Sequence, residues 1–501
     1  MKPSRPLSLV RWSLALAVIA AAPAAGQSAD PVVVRLSLAQ HAKRYCSGIW
    51  VSGREREEAL QNSVLITAEG RSDFQSRAMR FAIDDQRRIV TATKGGATAR
   101  ARYFGDQGCV ILPEGTDQVF FTPRPVVSAL PDGASTPWPM GDLLPEGPLP
   151  AGVSGQLLTQ AEELLFSVPD DGRAALVVVH KGRIVAERYS SGAHQDMQLE
   201  SWSMAKSVTA TLFGRLLQMG KVPGVWEPAP IPEWQNSPGD PRAAIRIADL
   251  LHLSSGILFS GGGSTPEQLA RAFIPGTEDH LLGYQAPIDI FKFSASRPQE
   301  FPPNTVGRYR NSDPWLVGSI VRRTVEGLGE EYLTWPQREL FDRIGIRRFV
   351  VEADAYGNLI MTGYNFGTAR DWARFGMLYL NRGMWNGERL LPEEFVDFVR
   401  TPAPAWPNRE YGGLFWLNTP HPDDPRRGGR LPTLPPDTYL ASGAGDQSTY
   451  IIPSRDLVIV VMSHRGRASR ARDERETRAL GLLVKAVDPS WRWTEPEVGT
   501  R

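Results

Sequence analysis

Lysine is the residue this chain almost does without: of 56 basic side chains only eight are lysines, Lys2, Lys43, Lys94, Lys181, Lys206, Lys221, Lys292 and Lys485. A guanidinium does not lose its proton in proteins, so chemistry that needs a neutral amine has few places to occur. Cysteine is scarcer still. Cys46 and Cys109 are the only two, neither has a CxxC partner, and the seven histidines show no ligand spacing, which argues against a metal site. The arginines are scattered rather than interleaved with aromatics and the net charge is +1, so nothing marks a nucleic-acid groove. Beyond the first 26 residues no apolar run is long enough to cross a bilayer. There is no Gly-x-Ser-x-Gly, so a strand-to-helix serine elbow lacks its anchor. Gly214 to Lys221 has phosphate-loop glycines at a spacing off by one, and Val222 stands where a hydroxyl is needed.

What is present describes a globular chain: 501 residues, 42% hydrophobic and 22% charged, enough for more than one domain. Met1 to Gly26 has a basic start (Lys2, Arg5, Arg11), an apolar run from Leu14 to Ala22 and small residues at Ala24 to Gly26. This pattern predicts a secretory signal peptide over 1–26 and a soluble, periplasmic or secreted mature protein. In an oxidising compartment Cys46 and Cys109 are expected to form one structural disulfide. Residues 30–113 alternate in the manner of short strands, as in Met79 to Ile83, the turn Asp84-Asp-Gln86 and Arg88 to Thr93, and predict a small β-rich N-terminal domain. A Pro/Gly-rich linker follows over 114–156, with Trp138 and Met140 costly to leave exposed, so it is expected to drape over the next domain.

The second domain is expected over 157–490, with a tail at 491–501. It opens on a helical pattern at Leu157 to Leu165 and a hairpin, Ala175 to Val179 and Ile184 to Tyr189. Leu457 to Met462 supplies another strand near the far end, which predicts one sheet built from both ends of the domain. Between them, Ile245 to about Arg400 reads mainly helical, with Ile247 to His252, Trp315 to Thr324 and Ala369 to Leu380 amphipathic. The fold class is therefore mixed α+β, a sheet flanked by helices plus a helical subdomain.

The chain's single Ser-x-x-Lys is Ser203-Met-Ala-Lys206. Val208, Leu212, Leu216 and Met219 continue it at helical spacing to Gly220, so Ser203 and Lys206 lie one turn apart on one face at the start of a helix. A serine needs a base, and a lysine amine serves when burial depresses its pKa. Tyr-x-Asn stands at Tyr309 and again at Tyr379. Tyr379-Leu-Asn381 falls within an amphipathic helix, where an aromatic packs; Tyr309-Arg-Asn311 follows a turn-rich Pro-Pro-Asn-Thr segment that can present a phenol to a cleft, so Tyr309 is the candidate proton shuttle and Asn311 the residue to orient Lys206 or a substrate amide.

Ser203-Met-Ala-Lys206 resembles the first motif of serine hydrolases built like class C β-lactamases, D-Ala-D-Ala carboxypeptidases and 6-aminohexanoate-dimer hydrolases. Four further segments are similar to that family's in order: Leu250-Leu-His-Leu-Ser-Ser-Gly-Ile257; Pro303 to Asn311; Thr368 to Gly383 with Trp385-Asn-Gly and Leu391-Pro-Glu-Glu394; and Ala441-Ser-Gly-Ala-Gly-Asp-Gln447 before Tyr450-Ile-Ile-Pro453. The resemblance covers roughly 160–490. It implies a β-lactamase/transpeptidase-like antiparallel sheet, a cofactor-independent acyl-enzyme mechanism on Ser203, and a small-molecule amide or ester substrate. Ser442, Gly443 and Ala444 would then line the substrate, with the Ala444 and Ser203 N–H groups as the oxyanion hole. The chain departs from the family in this third motif: Ala441-Ser442-Gly443 stands where class C enzymes have Lys-Thr-Gly, and Asp446 replaces a glycine. The lost cation argues against β-lactamase or carboxypeptidase activity, the enzymatic alternatives, unless Arg455, His464 or Arg465 compensates. A non-catalytic binding module on the same fold is the remaining alternative.

Overall fold

The computed structural model describes residues 30–169, 171–190, 192–423, 429–464 and 470–493. The expected leader, Arg465 and the tail beyond residue 493 lie outside them.

Valine-rich runs without alternation belong in strands covered on both faces. Arg173–His180 and Leu457–Ser463 are such runs, buried along their whole length and paired antiparallel. They form the centre of a six-stranded antiparallel sheet with the order Trp416–Leu417, Tyr439–Gly443, Gln447–Ile452, Leu457–Ser463, Arg173–His180, Arg183–Tyr189. The sheet is thus closed from both ends of the domain, as the sequence predicts. Side-chain alternation assigns its covers. Tyr450 donates its hydroxyl to Glu476 of the helix Arg470–Val487, which packs with Gly155–Leu165 on one face. Thr449 points the other way, toward the helix Ala369–Leu380, where a Cβ on Gly376 would lie 2.6 Å from Val458 Cγ1. Only a glycine lets that helix lie so close to the sheet.

The helix Ala205–Gln218 is buried on nearly all sides. Its hydroxyls reach neighbouring segments: Ser207 donates to Leu414 O, Thr209 to Met361 O, and Thr211 shares a hydrogen bond with the Tyr379 hydroxyl. Its start is held beside a three-stranded sheet of Leu199–Glu200, Asn365–Gly367 and Val350–Val351. Helices including Ile247–Leu251, Ile290–Ser296 and Ser312–Gly327 make the helical lobe.

The N-terminal segment differs from its expected strand content. Its strands begin only at Met79 and form a four-stranded antiparallel sheet, Met79–Asp84, Ile89–Lys94, Ala97–Tyr103 and Cys109–Ile111. Residues 31–75 are mainly helical, led by Pro31–Cys46, which packs on that sheet. The run Val32-Val-Val34 has strand propensity, but Asp30 caps Val32 N and Pro31 occupies the first turn, and these start signals win. The Cys46–Cys109 disulfide joins the end of this helix to the last strand. The segment's core is continuous with Phe259, Tyr284, Trp315 and Tyr364 of the helical lobe.

The linker drapes as expected. Trp138 donates to Gly182 O, and the buried Arg374 lies 4.6 Å from the Trp138 ring while donating to the carbonyls of Pro139 and Gly141. Among the described residues no helix is long and apolar enough to cross a membrane.

Candidate active site

Ser203 lies in a single 3₁₀ turn, Trp202–Met204, that runs directly into the helix Ala205–Gln218. The backbone enters this turn under strain, since Trp202 has φ +47, a conformation that costs a non-glycine residue on the order of 1–3 kcal/mol. Three neighbours hold it. Arg44 Cζ lies 5.0 Å from the Trp202 ring, Tyr364 lies 5.8 Å away centroid to centroid, and Gly443 of the sheet presses from the other side. A Cβ on Gly443 would come 2.2 Å from Ser201 O and 2.9 Å from Ser203 N, so this position admits only glycine. Gly443 therefore brings the edge of the strand against the nucleophile's own amide, and Ala444 is the next residue along.

Lys206 Nζ is 3.2 Å from Ser203 Oγ and 3.3 Å from Thr362 O. Its side chain is buried, no carboxylate pairs with it among the described residues, and burial holds its pKa well below the usual lysine value. The amine is thus held against the serine hydroxyl, and its burial favours the neutral form. The Tyr309 hydroxyl hydrogen-bonds Ser203, and Lys206 Nζ sits 4.6 Å from the Tyr309 ring centroid. Burial pushes the phenol up, opposed by its bond to Ser203, so Tyr309 keeps its proton. Opposite shifts on an amine and a phenol sharing one oxygen separate their roles: Lys206 can accept a proton and Tyr309 can donate one. Tyr379 is buried in its helix with its hydroxyl on Thr211.

Asn311 is fully buried. Its amide donates to His280 O at 2.7 Å and Tyr284 Oη at 3.0 Å, and Tyr284 in turn donates to Thr362 Oγ1. Asn311 therefore reaches Lys206 only through Tyr284 and Thr362, and no direct hydrogen bond joins them. Ser442 Oγ lies 3.5 Å from Ser448 Oγ on the neighbouring strand.

A family model described as Beta-lactamase matches residues 171–483, more than half of the chain. The chain belongs to the β-lactamase family. Three solved structures show how the fold is shared. A putative 6-aminohexanoate-dimer hydrolase from Bacillus anthracis is 21% identical, with a TM-score of 0.51 over 66% of this chain and 82% of that one. EstCE1, a hydrolase with promiscuous acyltransferase activity, is 14% identical, with a TM-score of 0.51 over 66% and 98%. A putative beta-lactamase from Bacteroides dorei is 16% identical, with a TM-score of 0.50 over 66% and 99%. No curated protein matches the sequence.

In this member of the β-lactamase family, Ser203 is surrounded by further groups that no motif announces. Thr362 contributes a backbone carbonyl, which leaves no signature in residue type. His280 lies 6.2 Å from Tyr309 between ring centroids, and its pKa is held well down by burial and then by Lys206 and Arg310. Trp416 stacks on Tyr309 at 5.3 Å, and Arg430 Cζ lies 4.2 Å from the Trp416 ring. The cations expected near the third motif stand elsewhere. Arg455 is at the opposite end of the sheet, ion-paired to Asp488 at 2.8 Å and packed on Trp491. His464 faces Arg54 and Glu58 of the N-terminal segment, with its pKa pushed down to about 4 by burial and then by Arg54.

Proposed function

We propose that this protein is an exported hydrolase that cleaves an amide or ester bond of a small molecule through an acyl-enzyme on Ser203. The observation that carries this reading is that the Lys206 amine, whose pKa burial lowers, and the Tyr309 phenol, whose pKa burial raises, meet on one serine oxygen. Lys206 takes the Ser203 proton as Oγ attacks the carbonyl carbon. The N–H groups of Ser203 and Ala444 receive the developing oxyanion. Tyr309 gives its proton to the leaving nitrogen or oxygen and is reprotonated from the Lys206 ammonium beside its ring. The acyl-enzyme and the free amine are thereby left in place. Water then enters by the same route in reverse and releases the acid. Export is supported by the leader pattern of residues 1–26 and by the Cys46–Cys109 disulfide.

The absence of a lysine from Ala441-Ser442-Gly443 favours simple amides and esters over β-lactams. Steady-state turnover of p-nitrophenyl butyrate, the matching anilide and a chromogenic cephalosporin by the purified protein tests this. The expected result is turnover of the ester and the anilide with kcat/KM for the cephalosporin lower by at least about tenfold. Preferred turnover of the cephalosporin would instead support a β-lactamase, and no turnover of any of the three would leave a binding module.

A further inference from the structure

We propose that Glu200 is a positioning residue of this hydrolase: its carboxyl competes with the Trp202 ring for the Arg44 guanidinium, so that ionisation of Glu200 releases the Ser203 turn and lowers kcat. The inference deepens the hydrolase reading above and rests on it.

Glu200 ends the short strand that leads into the Ser203 turn. It pairs opposite Phe366, and Phe366 pairs opposite Val350, so alternation puts Glu200, Phe366, Tyr364, Val350 and Glu352 on one face of the three-stranded sheet. The helix Pro31–Cys46 covers that face, where Tyr364 and Phe366 share a core with Leu38, Ala42 and Tyr45. Two acids of the sheet thus meet three cations of the N-terminal segment, Lys43, Arg44 and Arg54.

The cations are not equivalent. Lys43 is engaged by Glu352 in a buried ion pair, and that carboxylate also accepts from Ser47 Oγ at 2.7 Å and Cys109 N at 2.9 Å. Arg54 is engaged by Glu58 at 2.6 Å. Neither Arg44 nor Glu200 forms an ion pair among the described residues, although Arg44 is the charge that acts most strongly on Glu200. Glu200 Oε1 and Arg44 Nε are both buried without a hydrogen-bond partner. The guanidinium lies instead over Trp202, 5.0 Å from the ring centroid.

This is the arrangement expected beside a neutral acid. Burial pushes the Glu200 carboxyl up to about 8; Arg44 opposes the shift, Glu352 adds to it, and Lys43 and Arg54 oppose it further. Tyr364, the other titratable group on that face, is raised by burial as well and keeps its proton. A neutral carboxyl leaves Arg44 on the ring. A carboxylate offers the guanidinium two acceptor oxygens, a stronger partner than the face of an indole. Arg44 drawn to Glu200 no longer braces Trp202 at φ +47, and the turn that carries Ser203 Oγ shifts against Lys206 Nζ, 3.2 Å away. Tyr364 and Gly443 still hold the turn, so the loss is partial, and misplacing a reacting atom lowers kcat rather than affinity.

This ionisation is separable from the chemistry on Ser203. Lys206 gives a limb that rises with pH, and the Tyr309 phenol, raised above 10.0 by burial, gives one that falls only beyond that value. A fall in kcat near pH 8 belongs to neither.

The test is kcat for p-nitrophenyl butyrate from about pH 5 to 10 in wild type, Glu200→Gln and Arg44→Gln. In wild type kcat is expected to fall about tenfold near pH 8 to a lower plateau, with KM little changed. Glu200→Gln, fixed in the neutral form, should show no such fall. Arg44→Gln should stay near the lower level on both sides of pH 8. The infrared band of the protonated Glu200 carboxyl, assigned by its absence from Glu200→Gln, follows the ionisation without turnover and is expected to vanish near pH 8. A fall that persists in Glu200→Gln, no fall in wild type, or a carboxyl that ionises near the ordinary 4.5 would overturn this inference while leaving the hydrolase intact. No turnover of the ester at any pH would overturn the hydrolase reading and this inference with it.

Discussion

At the scale of single residues, the proposed chemistry depends on how burial poises one lysine. Lys206 has no carboxylate partner among the described residues, and burial lowers its pKa well below the free value. The sign follows: the unfolded chain binds this proton at pH values where the folded one does not, so both the catalytic amine and the group's stability contribution are gained as pH rises through that window. The acid limb of kcat/KM is therefore expected to titrate below the free lysine value of 10.5. Lys206→Arg puts a permanent cation in place of an amine that can lose its proton, and should lower kcat/KM by roughly 10³-fold with a flat acid limb. A pH–rate profile of wild type and variant with an activated ester checks this, and near-wild-type activity in Lys206→Arg would refute the base assignment. Ser203, Lys206 and Tyr309 could be singled out from residue type and spacing, because the proposed nucleophile, base and proton donor need particular side chains, and the structure brings the three together. Thr362, whose backbone carbonyl accepts from Lys206, gave no such signal.

At the scale of elements, the turn that carries Ser203 is a strained piece of backbone braced by the N-terminal helix. Arg44, at the end of the helix Pro31–Cys46, lies over Trp202, and Lys43 beside it forms a buried ion pair with Glu352 and faces the Tyr364 ring. This N-terminal helix therefore helps hold the φ +47 residue that precedes Ser203. Arg44→Ala is expected to reduce kcat by about tenfold with a small change in KM, since misplacing a reacting group costs rate rather than binding. Steady-state kinetics beside a thermal melt check this; unchanged kcat would remove the N-terminal helix from the account. Among the elements, the valine-rich central strands and the helix Ala369–Leu380 could be read from period and length. The N-terminal helix could not be, because capping by Asp30 and Pro31 outweighed the strand propensity of Val32 to Val34. The two-residue strands Leu199–Glu200 and Val350–Val351 are too short to carry a period at all.

At the scale of the whole molecule, three separately legible parts prove to be interlocked. The N-terminal segment shares a core with the helical lobe, the disulfide closes a 63-residue separation worth about 4 kcal/mol on chain-entropy grounds, and the linker is pinned by Arg374 and Arg347. Composition shifts marked the parts; the contacts between them depend on which faces meet, which no single segment encodes. The N-terminal helix and the sheet both bear on the Ser203 turn, and the account's central claim is that this serine is acylated. Intact-mass analysis of the purified protein after treatment with a fluorophosphonate tests it most directly, run beside Ser203→Ala and Lys206→Ala. The account predicts a single adduct on wild type, located to Ser203 by peptide mapping, absent from Ser203→Ala and formed far more slowly on Lys206→Ala. An adduct that persists in Ser203→Ala, or none on wild type across pH 6 to about 10, would contradict it.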